Sequence, residues 1–577
     1  MERRVLIAIF LSFIVLYAYQ AFFVKPTPKP AQQSAATQQT QAATGAASTA
    51  APLTPSTPQA ATRTTPAAAA LVAESSERDV TVETHDVIAV LTNRGARLKS
   101  WRLKKYLDQQ DRKPQELIEN KLPTQPLPFT LSTADAQLDA TLNGALYQVN
   151  DAPAEMISSP VDLRFEYRDA AGVSAVKTFH FVPDSYAVTV RVEVKAGDKS
   201  ITPTIVWGPA VGDVGEVSRY TQTAAGLLYS QAKTSPDRLS TKNVTQQPTY
   251  DGDFRFAGVD DNYFMTVALS TGPSRVTYQP VTIPPPAGSK DAARQLVSYA
   301  ITPQKQQPLQ FFAGPKDFGV LSAINPETTK AINFGMFAII VVPLLTALKW
   351  IHGYVPNYGW DIILLTVLIN ILILPLRHKS VVSMRKMQEI QPEVKAIQDR
   401  YSKLKATDPA KQKMNQEMMA LYKERGVNPA SGCVPILLTF PLIFAFYALL
   451  STAIELRGAP FILWIHDLSA HDPYYVTPIL MGASQLWQQW MTPSAGVDPA
   501  QQKMMMVMPL MMLFIFLWAP SGLVLYWLVS NVWQIGQQYV TNAIIGPPPT
   551  RTIRPAAERR LKRVGGGKTE AADAQKS

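Results

Sequence analysis

Amide and hydroxyl side chains lie at helical spacing inside several long apolar runs of this sequence. Three pairs are separated by one helical turn: Thr366 and Asn370, Gln485 and Gln489, and Ser530 and Gln534. A polar group in hydrocarbon must find a hydrogen-bond partner or water, so helices that only anchor a protein have no use for such residues. Hydrogen bonding between helices explains any single one of them well. Polar residues on three helices together favour a shared hydrated cavity.

The apolar runs that hold these residues predict membrane-spanning helices. Arg3 and Arg4 begin an N-terminal anchor at residues 1–24, and their charge keeps the N-terminus in the cytosol. Five further spans are expected, at residues 361–376, 433–452, 474–490, 504–519 and 521–540. Six crossings leave both termini in the cytosol.

Residues 334–356 are apolar but short and contain Pro343. A crossing here would place the loop 377–431 outside the cytosol, and loops so rich in Lys and Arg stay inside. We therefore expect an interfacial amphipathic helix at 334–356. The loop 453–473 contains only Arg457 as a basic residue and is expected on the periplasmic side.

Composition narrows the class of protein further. The chain has 577 residues, 46% of them hydrophobic, and a net charge of +11 that is concentrated beside the apolar runs. This distribution is typical of a membrane protein that faces anionic lipid and cytosol. Cys433 is the single cysteine, so no intramolecular disulfide can form. We find no P-loop, nucleophile elbow or metal-spaced His/Cys cluster, and therefore expect no catalytic residues, no metal and no cofactor.

The region outside the apolar runs divides into two parts. Residues 25–77 are rich in Pro, Ala, Thr and Gln, and such a segment cannot bury enough surface to fold, so it predicts a disordered linker. Residues 78–330 alternate apolar and polar side chains, most strictly from Tyr186 to Val194. This period predicts strands and an external, periplasmic β-sandwich. Further strands are expected at residues 80–84, 87–91, 163–168, 176–182 and 275–278.

The basic loop 377–431 carries two apolar stripes at spacings of three and four residues. The first stripe consists of Met387, Ile390, Val394, Ile397, Tyr401 and Leu404, and the second of Met414, Met418 and Leu421. Thr407-Asp408-Pro409 separates them with a stop, an N-cap and a proline at the first turn. The pattern predicts a cytosolic helical hairpin, in which Pro392 kinks or restarts the first helix. A solvated connector is the alternative.

Residues 541–577 form a basic tail that is expected in the cytosol. Its most concentrated charges are Arg559, Arg560, Lys562 and Arg563. Ribosomal RNA or anionic lipid would attract this segment. Topological anchoring explains the charge equally well.

Several motifs closely resemble the bacterial YidC membrane protein insertases of the Gram-negative type. They are the stretch from Ala459 to Ser469, Asp472-Pro473-Tyr474-Tyr475, Pro478-Ile479-Leu480-Met481-Gly482, and Pro520-Ser521-Gly522-Leu523-Val524-Leu525-Tyr526. The resemblance covers about residues 334–540. Residues 1–330 match more loosely.

The resemblance implies a membrane α-helical bundle in which a five-helix core encloses a groove open to cytosol and lipid. It also implies an external β-supersandwich and a cytosolic hairpin that contacts clients or targeting factors. Thr366 falls on a groove threonine, and Tyr526 and Trp527 fall on an aromatic pair that contacts the client. Asn370 departs from the family, because many members carry an arginine at this position. The groove of this chain would then lack that fixed charge.

The favoured hypothesis is an insertase and chaperone of the bacterial inner membrane. Its client groove would comprise Thr366, Asn370, Gln485, Tyr526, Trp527, Ser530 and Gln534. Expected partners are nascent membrane proteins, the Sec translocon, the ribosome or targeting factors, and lipids, but no specific DNA. Two alternatives are a solute transporter that uses the polar cavity and a periplasmic carbohydrate-binding domain on a membrane anchor. No clear internal repeat supports a transporter.

Overall fold

The computed structural model describes residues 69–108, 112–118, 125–153, 155–209, 224–284, 293–401, 410–426, 434–491 and 499–545. The N-terminal anchor, most of the linker and the basic tail lie outside these residues. Strands occupy the described chain up to Pro315, and the apolar helices follow. The segment from Glu393 to Leu421 belongs to a compact unit distinct from the rest.

The strands follow one another with short connections in the described residues. In chain order they are β1 Ala70–Val72, β2 Asp79–Glu83, β3 Val87–Thr92, β4 Arg97–Leu107, β5 Pro114–Glu116, β6 Thr130–Ser132, β7 Gln148–Asn150, β8 Val161–Asp169, β9 Val173–Phe181, β10 Ala187–Ala196, β11 Lys199–Ile201, β12 Thr204–Trp207, β13 Ala225–Ser230, β14 Asp237–Leu239, β15 Thr249–Asp260, β16 Phe264–Ile283, β17 Arg294–Pro303 and β18 Leu309–Pro315.

The strands form a large antiparallel sheet and a smaller one. The central path of the large sheet is β1-β8-β9-β10-β18-β16-β15-β13-β14, and the small sheet is β2-β3-β4-β5. Trp101 on β4 joins the two sheets, because its buried indole N–H donates to the Ala313 carbonyl on β18 at 2.8 Å. Aromatic rings fill the core; Phe129, for example, contacts Phe179 and Phe311 with centroids 5.2 Å apart.

The β-sandwich predicted from alternation is confirmed. The strand predicted from Tyr186 to Val194 is β10, and its side chains alternate between buried and exposed along most of its length. Each of the other predicted strands lies inside β2, β3, β8, β9 or β16, with at most one residue outside, although β9 and β16 begin three and eleven residues earlier than predicted. Three short helices were not indicated by the pattern: α1 Ala136–Gly144, α2 Thr241–Gln246 and α3 Phe318–Ile324.

The second half of the chain is helical. Its helices are α4 Ala338–His352, α5 Tyr358–Glu389, α6 Gln391–Arg400, α7 Ala410–Glu424, α8 Val434–Thr452, α9 Val476–Met491, α10 Pro499–Phe516 and α11 Ser521–Ile545. Helix α5 packs against α4, α8 and α11, while α9 packs against α10 and α11.

Two helical segments in the described residues are long and apolar enough to cross a membrane, by length and composition. They are Gly335–His352, with a mean hydropathy of 1.7, and Tyr358–Ser383, with 2.2; shorter apolar helices occur at Pro441–Thr452 and Val507–Phe516. Helices α4, α5, α8 and α10 each contain a proline. Neighbouring helices and local adjustments make such prolines tolerable in membrane proteins.

Helix α5 is longer than predicted. The expected span ended at residue 376 and the loop began at 377, but α5 continues for 32 residues to Glu389. Residues 377–389 contain neither Gly nor Pro, so nothing in the local sequence ends the helix. Met387 therefore lies on α5 instead of on a separate hairpin helix. Helix α6 begins at Gln391, directly before Pro392, which confirms that this proline restarts the helix.

A cluster of charged residues joins the sandwich to the helices. Lys349 on α4 donates to both oxygens of Asp317 at 3.2 Å and to Glu455 at 3.0 Å. Asp317 is the N-cap of α3, and Glu455 lies just after α8. Arg457 donates to the Leu107 carbonyl at the end of β4 and to Gln115 on β5, both at 2.8 Å. These residues form the polar clamp between the two parts.

Candidate functional site

Thr366 uses its hydroxyl within its own helix. The side chain is fully buried on α5, and its Oγ1 donates to the Ile362 carbonyl one turn earlier at 2.6 Å. Such back-bonding satisfies a hydroxyl that would otherwise be unpaired in an apolar setting. The oxygen retains only its capacity to accept a hydrogen bond. Thr366 therefore does not present a free donor.

Asn370 lies one turn beyond Thr366 and holds a cation. Its Nδ2 donates to the Thr366 carbonyl at 2.8 Å, which leaves Oδ1 as the available acceptor. The guanidinium of Arg377 donates to that oxygen at 3.3 Å. Arg377 is only partly exposed, lies within the apolar segment Tyr358–Ser383, and forms no ion pair with a carboxylate among the described residues. Position 370 thus receives a positive charge from a residue two turns away on the same helix.

Arg377 is absent from the predicted groove, because it is the first charged residue of the predicted basic loop 377–431. The signal was the spacing of seven residues between positions 370 and 377. Seven residues make almost two full turns, so both side chains lie on one face of a continuous helix. Positions 370 and 377 share a face only because α5 continues past residue 376, and the predicted span ended there.

The two predicted aromatic residues contact different neighbours. Tyr526 on α11 is buried and stacks on Phe446 of α8, with centroids 4.0 Å apart and planes 12° apart. It is also near enough to Arg377 for an electrostatic interaction. Trp527 packs against Phe516 of α10, with centroids 4.9 Å apart. The structure thus brings Tyr526 together with the α5 residues and places Trp527 on the α10 side of α11.

Ser530 and Gln534 take part in hydrogen bonds within the bundle. The Gln534 Nε2 donates to the Ser530 Oγ at 3.3 Å, and its Oε1 accepts from Gln488 on α9. One position along, Asn531 donates to the Ser484 hydroxyl at 3.0 Å. These bonds connect α9 with α11, so Gln534 stabilises the packing of the two helices.

Other polar atoms of the bundle are buried without a hydrogen-bond partner in the described structure. They are the Asp361 Oδ1 on α5, the Gln485 Oε1 on α9, and the Trp533 Nε1 and both amide atoms of Gln537 on α11. Gln485 was a predicted groove residue, whereas Trp533 and Gln537 were missed. Positions 526, 530, 533 and 537 recur at helical spacing, and this pattern on the α11 sequence would have identified them. Buried polar groups that lack partners call for an explanation by water or a ligand.

Helices α5 and α11 run side by side with the polar residues at matching depths. A side chain at Gly522 would come within 3.3 Å of Ile362, which places these two positions at one level. Arg377 and Gln537 each follow fifteen residues later, or about 22 Å along their helices. The polar face is defined here as Asn370, Arg377, Tyr526, Ser530, Trp533 and Gln537. It offers mostly donors and one fixed positive charge.

The loop-derived helices show the expected apolar burial within their own unit. Val394 and Ile397 on α6 and Met414 on α7 are each less than 10% exposed. Tyr401, directly after α6, donates its hydroxyl to Glu417 on α7 at 2.6 Å. Met418 accepts a weak hydrogen bond from the Gln398 amide, with 3.9 Å between Nε2 and Sδ.

Several predicted residues lie between helices or outside the described residues. Ile390, which is buried, lies between α5 and α6. Leu404 and the Thr407-Asp408-Pro409 stop lie outside the described residues, as do Arg559, Arg560, Lys562 and Arg563. A search of the described residues finds no group of three or more His, Cys, Asp or Glu side chains that could hold a metal ion.

The 472–475 motif has a clear local role. The buried carboxylate of Asp472 accepts hydrogen bonds from the Thr477 backbone N–H and hydroxyl, both at 2.8 Å, and from Trp464 at 3.0 Å. Burial raises the pKa of Asp472, but these bonds and one from the Tyr474 backbone N–H outweigh burial and lower it. The motif therefore fixes the turn that leads into α9 and does not itself carry chemistry.

Comparison with known proteins assigns both halves of the chain. Residues 79–347 match the family model described as the YidC periplasmic domain, and residues 350–547 match the model described as the 60Kd inner membrane protein. A solved structure titled "Active YidC insertase crystal structure with the first transmembrane domain resolved" is 17% identical with a TM-score of 0.34. It covers 82% of this chain and 95% of that chain.

Curated relatives extend over nearly the whole sequence. The membrane protein insertase YidC of Geobacter metallireducens is 35% identical, and the match covers 94% of this chain and 99% of that protein. The protein of the same name from Geobacter sulfurreducens is 36% identical over the same shares of the two chains. With both family models and full-length relatives in agreement, this chain belongs to the YidC membrane protein insertase family.

Proposed function

We propose that this chain inserts membrane proteins, and assists their folding, by passing polar client segments along the polar face between α5 and α11. The observation that carries the proposal is Arg377, a partly buried cation in an apolar helix that is held by Asn370 and has no carboxylate partner in the described structure. Arg377 lies towards the Ser383 end of the apolar segment Tyr358–Ser383, and a charged residue in an apolar helix costs free energy unless it is paired or hydrated. Such residues mark functional sites.

The polar face lowers the barrier for a client's hydrophilic tail. Water and fixed donors replace part of the solvation that the tail loses in hydrocarbon, and the Arg377 charge attracts acidic tail residues. The client's apolar helix then partitions into lipid. At about 0.3–0.6 kcal/mol per Leu-like residue, a segment of roughly 20 residues gains about 6–12 kcal/mol. This gain supplies the driving force, and no nucleotide is implied.

The proposed topology follows from charge and from the family. The sandwich lies in the periplasm, an N-terminal anchor precedes it, and α5, α8, α9, α10 and α11 form a five-helix core in the inner membrane. Helix α4 lies in the interface, and α6 and α7 form the cytosolic hairpin that meets clients or targeting factors. The basic tail contacts ribosomal RNA or anionic lipid, and the Sec translocon is a partner for larger clients.

The two alternative functions receive no support from the relatives, whose names describe an insertase and no enzyme activity. A solute transporter would move a small substrate into liposomes that contain the purified protein. A carbohydrate-binding sandwich would bind sugar, and deletion of residues 78–320 would abolish the activity of the protein. Under our proposal that deletion leaves most of the insertion activity.

The function is tested by moving the charge. Purified protein in liposomes receives a single-span client with a short acidic tail, and protection of the tail from added protease is measured. We expect Arg377→Gln to reduce protection about tenfold, because the contact between the Arg377 charge and an acidic residue of the client tail is lost. A tenfold change corresponds to about 1.4 kcal/mol. Arg377→Lys should retain part of the activity, and adding Asn370→Arg to Arg377→Gln should restore it.

The controls separate loss of charge from loss of fold. Each variant should keep the thermal transition of the unchanged protein, and a client with an uncharged tail should be affected less than the acidic one. Equal protection of the acidic tail by Arg377→Gln and the unchanged protein would refute the role of this cation.

A further inference from the structure

Gln537 is unusual among the amides of the described bundle. Both its Nε2 and its Oε1 are buried, and neither forms a hydrogen bond within the described structure. The indole Nε1 of Trp533, one turn earlier on α11, is buried and unpaired as well. In an apolar environment each such group costs free energy unless it is hydrogen-bonded. A pair of them on one helix indicates a place where another polar molecule binds.

The helix turn directs both residues into the polar face. At about 100° per residue, positions 526, 530, 533 and 537 fall within roughly 60° of one another. Tyr526 on this side of α11 stacks on Phe446 of α8 and lies near Arg377 of α5. Trp533 and Gln537 therefore continue the polar face between α5 and α8, beyond Ser530. Val532, which is 57% exposed, lies on a different side of α11.

The chemistry of the pair matches a peptide group better than a charged side chain. A glutamine amide both donates and accepts, so it can bond to an N–H and a C=O of an extended main chain at once. The indole N–H supplies one further donor for a carbonyl. Neither residue carries a charge, so binding of this kind does not depend on client sequence.

We propose that Gln537 and Trp533 bind main-chain peptide groups of a client segment as it passes along the polar face. This inference rests on the proposed function and adds a sequence-independent contact to the charge of Arg377. It explains why two buried groups lack partners in the client-free chain. Gln534, three residues away, already bonds to Ser530 and Gln488, and therefore has no such role.

The experiment uses the full-length protein in phosphatidylethanolamine and phosphatidylglycerol liposomes. The client has a single apolar span and a short tail of Gly and Ser, so the charge of Arg377 is not tested. We expect Gln537→Leu and Trp533→Phe each to reduce tail protection about fivefold, the equivalent of one lost hydrogen bond. Gln538→Leu, the matched control, removes an α11 amide that donates to Asn542 and lies outside the polar face, so protection should stay within about twofold.

A second measurement does not depend on the side-chain substitutions. A photo-crosslinking residue at position 537 should capture the Gly/Ser tail of a stalled client, whereas one at position 532 should capture lipid or nothing. Wild-type rates in both Gln537→Leu and Trp533→Phe, with no tail crosslink from 537, would overturn the inference while the proposed function stands. If the unchanged protein fails to insert the client at all, the proposed function is overturned together with it.

Discussion

Two basic residues, one partly buried and one fully buried, are stabilised in different ways. Arg377 has one amide oxygen as its partner and keeps most of its donors available. Lys177 on β9 is fully buried in the sandwich, and its Nζ donates to three carbonyls: Gly95 at 2.6 Å, Ala96 at 3.2 Å and Phe129 at 2.7 Å. Under our proposal the donors of Arg377 bind the client, whereas those of Lys177 join a turn to a neighbouring strand end.

Replacing Lys177 by Met should lower the free energy of unfolding of the sandwich by about 3 kcal/mol, because three buried carbonyls lose their donor. Burial lowers the pKa of Lys177 well below its ordinary value of 10.5. Between the lowered value and 10.5 the unfolded chain binds the extra proton, so the stability contributed by this group rises with pH. The difference between wild type and Lys177→Met in thermal unfolding should therefore grow as the pH rises towards 10.5.

The control for this prediction is Lys195→Met. Lys195 lies on the adjacent strand β10 with an exposed side chain, so its loss should change the free energy of unfolding by less than about 0.5 kcal/mol at any pH. An equal effect of the two substitutions, or a gap that closes as pH rises, would contradict the assigned role of Lys177.

At the residue scale, helical spacing predicted which polar side chains share a helix face, but not which groups they contact. Thr366 and Asn370 were correctly placed together on one helix face, and both are buried. That Thr366 bonds to its own helix, and that Trp527 turns towards Phe516, depends on neighbours that are distant in sequence. Helical spacing carries no information about those neighbours.

At the element scale, the helices α6 and α7 depend on a narrow apolar stripe. Val394, Ile397 and Met414 are buried, while Met419 on α7 is 59% exposed. The Tyr401–Glu417 hydrogen bond and the Arg400–Glu417 ion pair at 3.4 Å add directional contacts. Two helices bury little surface, so this unit should be sensitive to the loss of a single buried side chain.

We expect Ile397→Ala to destabilise the α6–α7 pair by about 2 kcal/mol, because a buried aliphatic side chain is truncated. Met419→Ala removes an exposed side chain of similar size and should have little effect. Backbone hydrogen exchange across residues 393–400 and 410–421 of the full-length protein measures both. Equal acceleration of exchange in the two variants would show that the stripe does not hold the helices together.

The elements themselves were predicted more successfully than their ends. Alternation located the strands because one face of each is buried in the sandwich core, and long apolar runs located α5, α8, α9, α10 and α11. The end of α5 was wrong because the change from apolar to basic residues was taken as the end of a helix. A change from apolar to basic residues indicates a change of environment, whereas a residue such as Pro392 interrupts the helical backbone itself.

At the scale of the whole molecule, the hydrogen bonds of the polar clamp link the sandwich to the helices. Lys349 bonds to Asp317 and Glu455, whose side chains are 15% and 5% exposed. Burial raises the pKa of Glu455, although Lys349 opposes that shift. Nothing in the sequence pairs these three positions, since residues 317, 349 and 455 are far apart in the chain and each is unremarkable alone.

Lys349→Met should weaken this contact, because two largely buried carboxylates would then face each other without a cation. Removing one partner of a fully buried ion pair costs about 3–5 kcal/mol, and the 35% exposure of the Lys349 side chain makes the expected loss smaller. We expect faster hydrogen exchange in α3 and in residues 453–457, with little change in the sandwich core. Lys233→Met removes an exposed pair with Asp237 and should leave both segments unchanged. If Lys349→Met left hydrogen exchange unchanged in both segments, the clamp could not be the basis of the contact.

Helix α5 has one constrained end and one long extension. At the Tyr358 end, Gly359 lies so close to Phe461 that a Cβ atom would fall 2.0 Å from the ring. From there 32 residues run about 48 Å, against a hydrocarbon thickness of about 30 Å. The helix is therefore about 18 Å longer than the hydrocarbon layer is thick, so it must either tilt or extend its Glu389 end beyond that layer.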